Sequence, residues 1–113
     1  DRPGGDVNAE TIGDVVYEVN IDLDADIEAE YRAWLRHHVA EILALPGFLD
    51  ARVFDVIDPP PAPGRIALCT QYLLRDEAAL QAYFDLHAAR LRGDGIARFD
   101  GSFNASRRIL RTS

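Results

Sequence analysis

The stretch RIALCTQYLL, residues 65–74, decides the fold. From Ile66 to Leu74 it alternates Ile66, Leu68, Thr70, Tyr72 and Leu74 against Ala67, Cys69, Gln71 and Leu73. A period of two marks a strand, and a strand that is largely apolar on both sets is buried on both faces. Upstream, Pro59, Pro60, Pro61 and Pro63 with Gly64 form a stiff loop, because proline fixes φ and removes a ladder donor. Before that loop, Phe48 to Ile57 reads as another strand. Downstream, Arg75 or Asp76 opens a helix whose apolar stripe is Leu80, Tyr83, Phe84, His87, Ala88 and Leu91, with Gly93 and Gly95 ending it.

Further out, Val15, Tyr17, Val19 and Ile21 alternate with Glu18, Asn20 and Asp22, which predicts a half-buried strand from Val15 to Ile21. Leu23 to Asp26 is an acidic turn, with Asp24 as N-cap and Asp26, Glu28 and Glu30 suited to the positive end of a helix. That helix carries Ile27, Tyr31, Trp34, Leu35, His38, Val39, Ile42 and Leu45 at spacings of three or four, and Pro46-Gly47 stops it. A connector with Ile96 and Phe99 leads to a last strand from Phe103 to Leu110. The order βαββαβ predicts an α+β, ferredoxin-like domain: a four-stranded antiparallel sheet with two helices on one face. The other face then shows Ala67, Cys69 and Leu73 to water, at about 25 cal/mol per Å2 of apolar area. A second copy covering it, in a homodimer, is the expectation.

The chain has 113 residues, of which 48% are hydrophobic, so one globular domain is expected. Residues 1–13 read as a polar tail and 14–113 as the domain. No apolar run approaches the roughly 20 residues of a membrane helix, and no signal segment opens the sequence, so a cytoplasmic protein without a membrane partner is expected. Cys69 is the single cysteine, which excludes an internal disulfide and reads as a buried hydrophobe. All 12 basic residues are arginine, and without lysine there is no Schiff-base chemistry. The net charge of −7 argues against nucleic acid, and the 65–74 strand lacks the paired aromatics of an RNA-recognition module. The acidic turn after the first strand would repel the phosphate of an acyl-phosphate hydrolase. Asp22, Asp24 and Asp26 begin like a calcium loop, but Ile27 and Ala33 stand where that loop needs glycine and glutamate. The sequence calls for no metal and no cofactor.

The candidate site follows from the stripes. His38 and His87 sit on apolar helix faces behind Trp34 and Tyr83. A histidine so placed is more often a hydrogen-bonded packing residue; the sharper reading is a pocket, and a metal site is the weakest. With Tyr31, Trp34, Tyr72 and Tyr83 as walls, and Arg92 or Arg107 to meet a ligand carboxylate, the pocket would hold an unidentified small molecule between helices and sheet. No catalytic residue is assigned, and whether the protein is an enzyme stays open.

These residues also carry a family resemblance. Trp34 and His38 on the first helix, Gln71-Tyr72, Tyr83, His87-Ala88, Leu91-Arg92, Gly95, Phe99, Phe103, Ala105 and Arg107 resemble the pattern of an uncharacterised bacterial family, domain of unknown function 4286. Asp100 stands where that pattern has glycine, which leaves the shape of the last turn open. The resemblance spans Tyr17 to about Leu110 and implies the ferredoxin-like fold, but no activity. That fold is similar to dimeric α+β barrels, where two sheets pack face to face. Some of those are cofactor-independent monooxygenases or haem-degrading enzymes, and the latter use an asparagine on strand one and a histidine on helix two, matched here by Asn20 and His87; their third-strand tryptophan is missing. Such an enzyme is one alternative; a non-catalytic protein-interaction domain, using the arginine-rich last strand or the proline loop, is the other.

Overall fold

The computed structural model describes residues 13–113, so the expected tail lies outside the described residues except for Gly13. Its elements are β1 (Val15–Asp24), a 3-10 turn (Ala25–Ile27), α1 (Glu28–Leu43), β2 (Phe48–Asp55), β3 (Arg65–Leu74), α2 (Glu77–Leu86), α3 (Ala88–Phe99) and β4 (Phe103–Arg111). The four strands form one sheet in the order β2-β3-β1-β4, with every neighbouring pair antiparallel.

Register fixes which side chains meet the helices. Tyr17 stands opposite Tyr72 and Ile109, and Val19 opposite Thr70 and Arg107. Because side chains alternate, Arg107 shares the helix-bearing face and Arg108 the bare one. On the helix side Val15, Tyr17, Ile21 and Leu23 are buried, against Leu68, Tyr72 and Leu74 of β3. The core has two clusters. One joins Tyr17, Ile42, Phe48, Tyr72, Leu80, Tyr83 and Leu91; the other joins Ile21, Leu23, Tyr31, Leu35, Leu68 and Phe99. Asp76 opens α2 as its N-cap, accepting the Ala79 N–H at 2.9 Å.

Four expectations need correction. The second helix is two helices, broken at His87, and α3 runs through Gly93 and Gly95 to Phe99. Gly95 serves packing, not termination: a Cβ there would stand 2.9 Å from Cη2 of Trp34. The left-handed turn residue comes at Gly101, φ 82°, one position after Asp100. Asp24 makes no side-chain cap; its carboxylate, with that of Asp22, holds Arg65. Cys69 is not in the helix-covered core. It is half-buried on the helix-free face, where burial, with help from Glu18, raises its thiol pKa.

The fourth correction concerns that face as a whole. Val16, Leu73 and Leu110 are only half-buried there and Phe54 is 41% exposed, but the centre is charged. Glu18 is 3% exposed and accepts from Arg108 Nε at 2.7 Å, Asn20 Nδ2 at 2.9 Å and Gln71 Nε2 at 3.0 Å. The face is an apolar rim around a satisfied carboxylate rather than a uniform greasy sheet.

Candidate functional site

The helices leave a cavity of about 180 Å3 above the sheet. Its floor is Tyr17, Val19 and Ile21 of β1, Thr70 and Tyr72 of β3, and Phe103, Ala105 and Arg107 of β4. Its roof is Tyr31, Trp34, Leu35, His38 and Ile42 of α1, Tyr83 of α2, and Arg92, Gly95 and Ile96 of α3. All 4 tyrosines of the chain and its 1 tryptophan therefore face a single space. The tyrosines are each 2–3% exposed.

Local structure explains the arrangement. On α1 the spacing from Tyr31 through Trp34 to His38 is three and four residues, so the three rings share one helix face. Trp34 stacks on His38 with centroids 4.4 Å apart at 20°, and meets Phe99 edge-on at 5.7 Å. Glycine at 95 lets α3 approach the indole closely. Opposite, Tyr17 stacks on Tyr72 at 5.9 Å and lies 5.8 Å from Tyr83.

The polar groups are tuned by this setting. Burial lowers the pKa of His38 below its usual 6.5, against Glu41 and Asp94 and with Arg107, so the imidazole is neutral at neutral pH. Burial also raises Tyr31 and Tyr83 to about 12 and Tyr72 higher still, which keeps all three hydroxyls protonated as donors. Arg92 donates from Nη2 to the Tyr17 hydroxyl at 2.9 Å, and its guanidinium lies 5.6 Å from the Phe84 ring centre. Its Nε is buried with no hydrogen-bond partner among the described residues. Among the described residues no aspartate or glutamate lines the cavity.

Of the residues singled out from the sequence, Tyr31, Trp34, His38, Tyr72, Tyr83, Arg92 and Arg107 line this one cavity. His87 does not. It is the half-buried joint between α2 and α3, its N–H donating to the Tyr83 carbonyl at 2.9 Å and its carbonyl accepting from Leu91 at 3.1 Å. Asn20 is on the opposite face of the sheet, bonded to Glu18. The asparagine–histidine pair of a haem-degrading site is thus not assembled. Sequence reasoning missed Thr70 and Gly95. Their signals were a hydroxyl among apolar neighbours on the helix-facing set of β3, and a glycine inside a helical stripe.

Among the described residues no group of three or more histidine, cysteine, aspartate or glutamate side chains is placed to hold a metal. No described helix is long and apolar enough to cross a membrane.

Solved structures with this architecture include SnoaB, a cofactor-independent oxygenase from Streptomyces nogalater. It is 15% identical, with 88% of this chain and 94% of that one covered and a TM-score of 0.65. A proposed antibiotic biosynthesis monooxygenase from Deinococcus radiodurans is 14% identical, covering 88% and 92% at a TM-score of 0.64. A dimeric ferredoxin-like protein from an uncultured marine organism is 12% identical, covering 88% and 95% at a TM-score of 0.60. Likeness at these identities shows the ferredoxin-like fold alone. No curated protein matches by sequence. Over residues 14–113 the chain belongs to the family described as Domain of unknown function (DUF4286).

Proposed function

We propose that this protein binds a compact, mostly apolar small molecule in the cavity between its helices and its sheet, and does so as a homodimer. The observation that carries the reading is the convergence of every tyrosine and the lone tryptophan on one space of about 180 Å3. Apolar walls dotted with a few fixed donors are the usual make-up of a ligand site. The size is decisive about scale. An apolar cavity of about 150 Å3 takes benzene, whereas drug-sized ligands need about 300 Å3 or more. A one-ring guest matches that volume. The half-exposed rim around Glu18 supports the second copy, and so does the dimeric state named for one structural neighbour.

Trp34 reports on the cavity directly, being the only tryptophan. Titration with phenol should change its emission saturably, and Trp34→Phe should abolish the signal while calorimetry still detects the heat. Emission and calorimetric traces both flat up to millimolar phenol would remove the binding reading. Sedimentation that finds only monomer at micromolar concentration would remove the dimer.

A second reading, oxygenation without a cofactor, is favoured by His38, which is neutral and so able to accept a proton from a bound phenol. It requires oxygen uptake with an electron-rich phenol such as hydroquinone, lost in His38→Ala; uptake that is no faster than the buffer blank excludes it for that substrate.

A further inference from the structure

We infer, resting on the cavity reading above, that the guest is an anion: a one-ring carboxylate whose apolar body lies among the aromatics and whose two oxygens are held by Arg92 and Arg107. The argument begins with the distribution of charge. In a chain of net charge −7, arginines should find acids readily, and six of the 12 do so among the described residues. Arg32, Arg65, Arg75, Arg90, Arg108 and Arg111 each pair with a carboxylate. Among the described residues Arg92 and Arg107 form no ion pair, and these are the two cations that line the cavity. The described lining is therefore cationic within an acidic protein, with no acid among the described residues that form it.

The two come from opposite walls, α3 and β4, yet both act electrostatically on Tyr83 from within its surroundings. Arg92 is half-buried and leaves Nε buried and unpartnered, a group that native structures rarely strand. Arg107 is exposed and so stands toward the solvent side. A planar carboxylate offers two coplanar acceptors, which suits guanidinium forks better than a single hydroxyl does. The protonated tyrosines supply further donors and no competing negative charge.

The test compares benzoate with its neutral isostere benzamide, by calorimetry on the full chain. Benzoate should bind roughly tenfold or more tighter, since hydrogen bonds to a charged group are the stronger kind. Arg107→Gln, at an exposed position, should erase most of that preference by weakening benzoate far more than benzamide; Arg92→Gln should do the same from the other wall. The preference should also shrink with added salt. If benzamide binds as tightly as benzoate, the anion inference falls and the cavity reading stands. If phenylphosphonate outbinds benzoate in the wild type, the carboxylate assignment falls. If neither benzoate nor benzamide nor phenol binds, both readings fall together.

Discussion

Glu18 shows how a single side chain can be charged, buried and stable. Its carboxylate is held at a pKa of about 2, below the usual 4.5, first by the hydrogen bond from Arg108, with burial opposing and Asn20 and Gln71 helping. The folded form resists protonation, so this stabilisation is full above about pH 4.5 and is lost as the pH falls toward 2. Glu18→Gln should cost about 1–2 kcal/mol at neutral pH, discounted because Arg108 is well exposed. Urea titrations of both proteins should converge near pH 2–3. His38 runs the same way at a higher pH. Its lowered pKa means that the unfolded chain takes up the proton first, so stability should fall as pH drops below 6.5. The midpoint of the His38 ring titration by NMR should lie below that value; a midpoint above 6.5 would contradict the burial described here.

At the scale of elements, α3 sets two glycines against each other. Gly95 faces Trp34, and a Cβ there would stand 2.9 Å from the indole, which is itself pinned by His38 and Phe99. Gly93 has nothing within 4 Å of a built Cβ. Alanine in place of a helical glycine gains about 1 kcal/mol from propensity, and overpacking costs about 1–3 kcal/mol. Gly93→Ala should therefore raise the melting temperature, whereas Gly95→Ala should lower it or leave it level while weakening phenol binding. The same element marks the limit of legibility. β3, α1 and β1 as far as Ile21 could be read because their periods of two and of three to four run unbroken; Leu23 and Asp24, expected in an acidic turn, instead continue β1. The α2–α3 break could not be read, since Leu80, Tyr83, Phe84, His87, Ala88 and Leu91 keep helical spacing straight across it. Position on that stripe places Tyr83 at the cavity wall. It misplaced His87, where the chain turns. Glu18 was illegible for another reason: its partners Gln71 and Arg108 lie 53 and 90 residues away, and only register joins them.

At the scale of the molecule, an apolar rim and a charged centre on one sheet face make a demanding contact surface. A second copy docked on this face would have to cover Val16, Leu73 and Leu110 without stripping Glu18 of its donors. Glu18→Leu, which strands Arg108 as an unpaired cation, should weaken self-association measured by sedimentation, more than a rim substitution such as Leu110→Ala. Equal dissociation constants for the two variants and the wild type would show that this face is not the contact. Strand alternation adds a consequence. Arg107 and Arg108 are successive residues of β4, one turned to the cavity and the other clamped on Glu18. If the proposed guest draws the first guanidinium inward, it would tug, through one shared peptide unit, on the clamp at the sheet's reverse side. In a homodimer paired through this face, occupancy and subunit pairing would then bias each other by the same factor in both directions, as linkage requires, with a nine-residue edge strand as the lever.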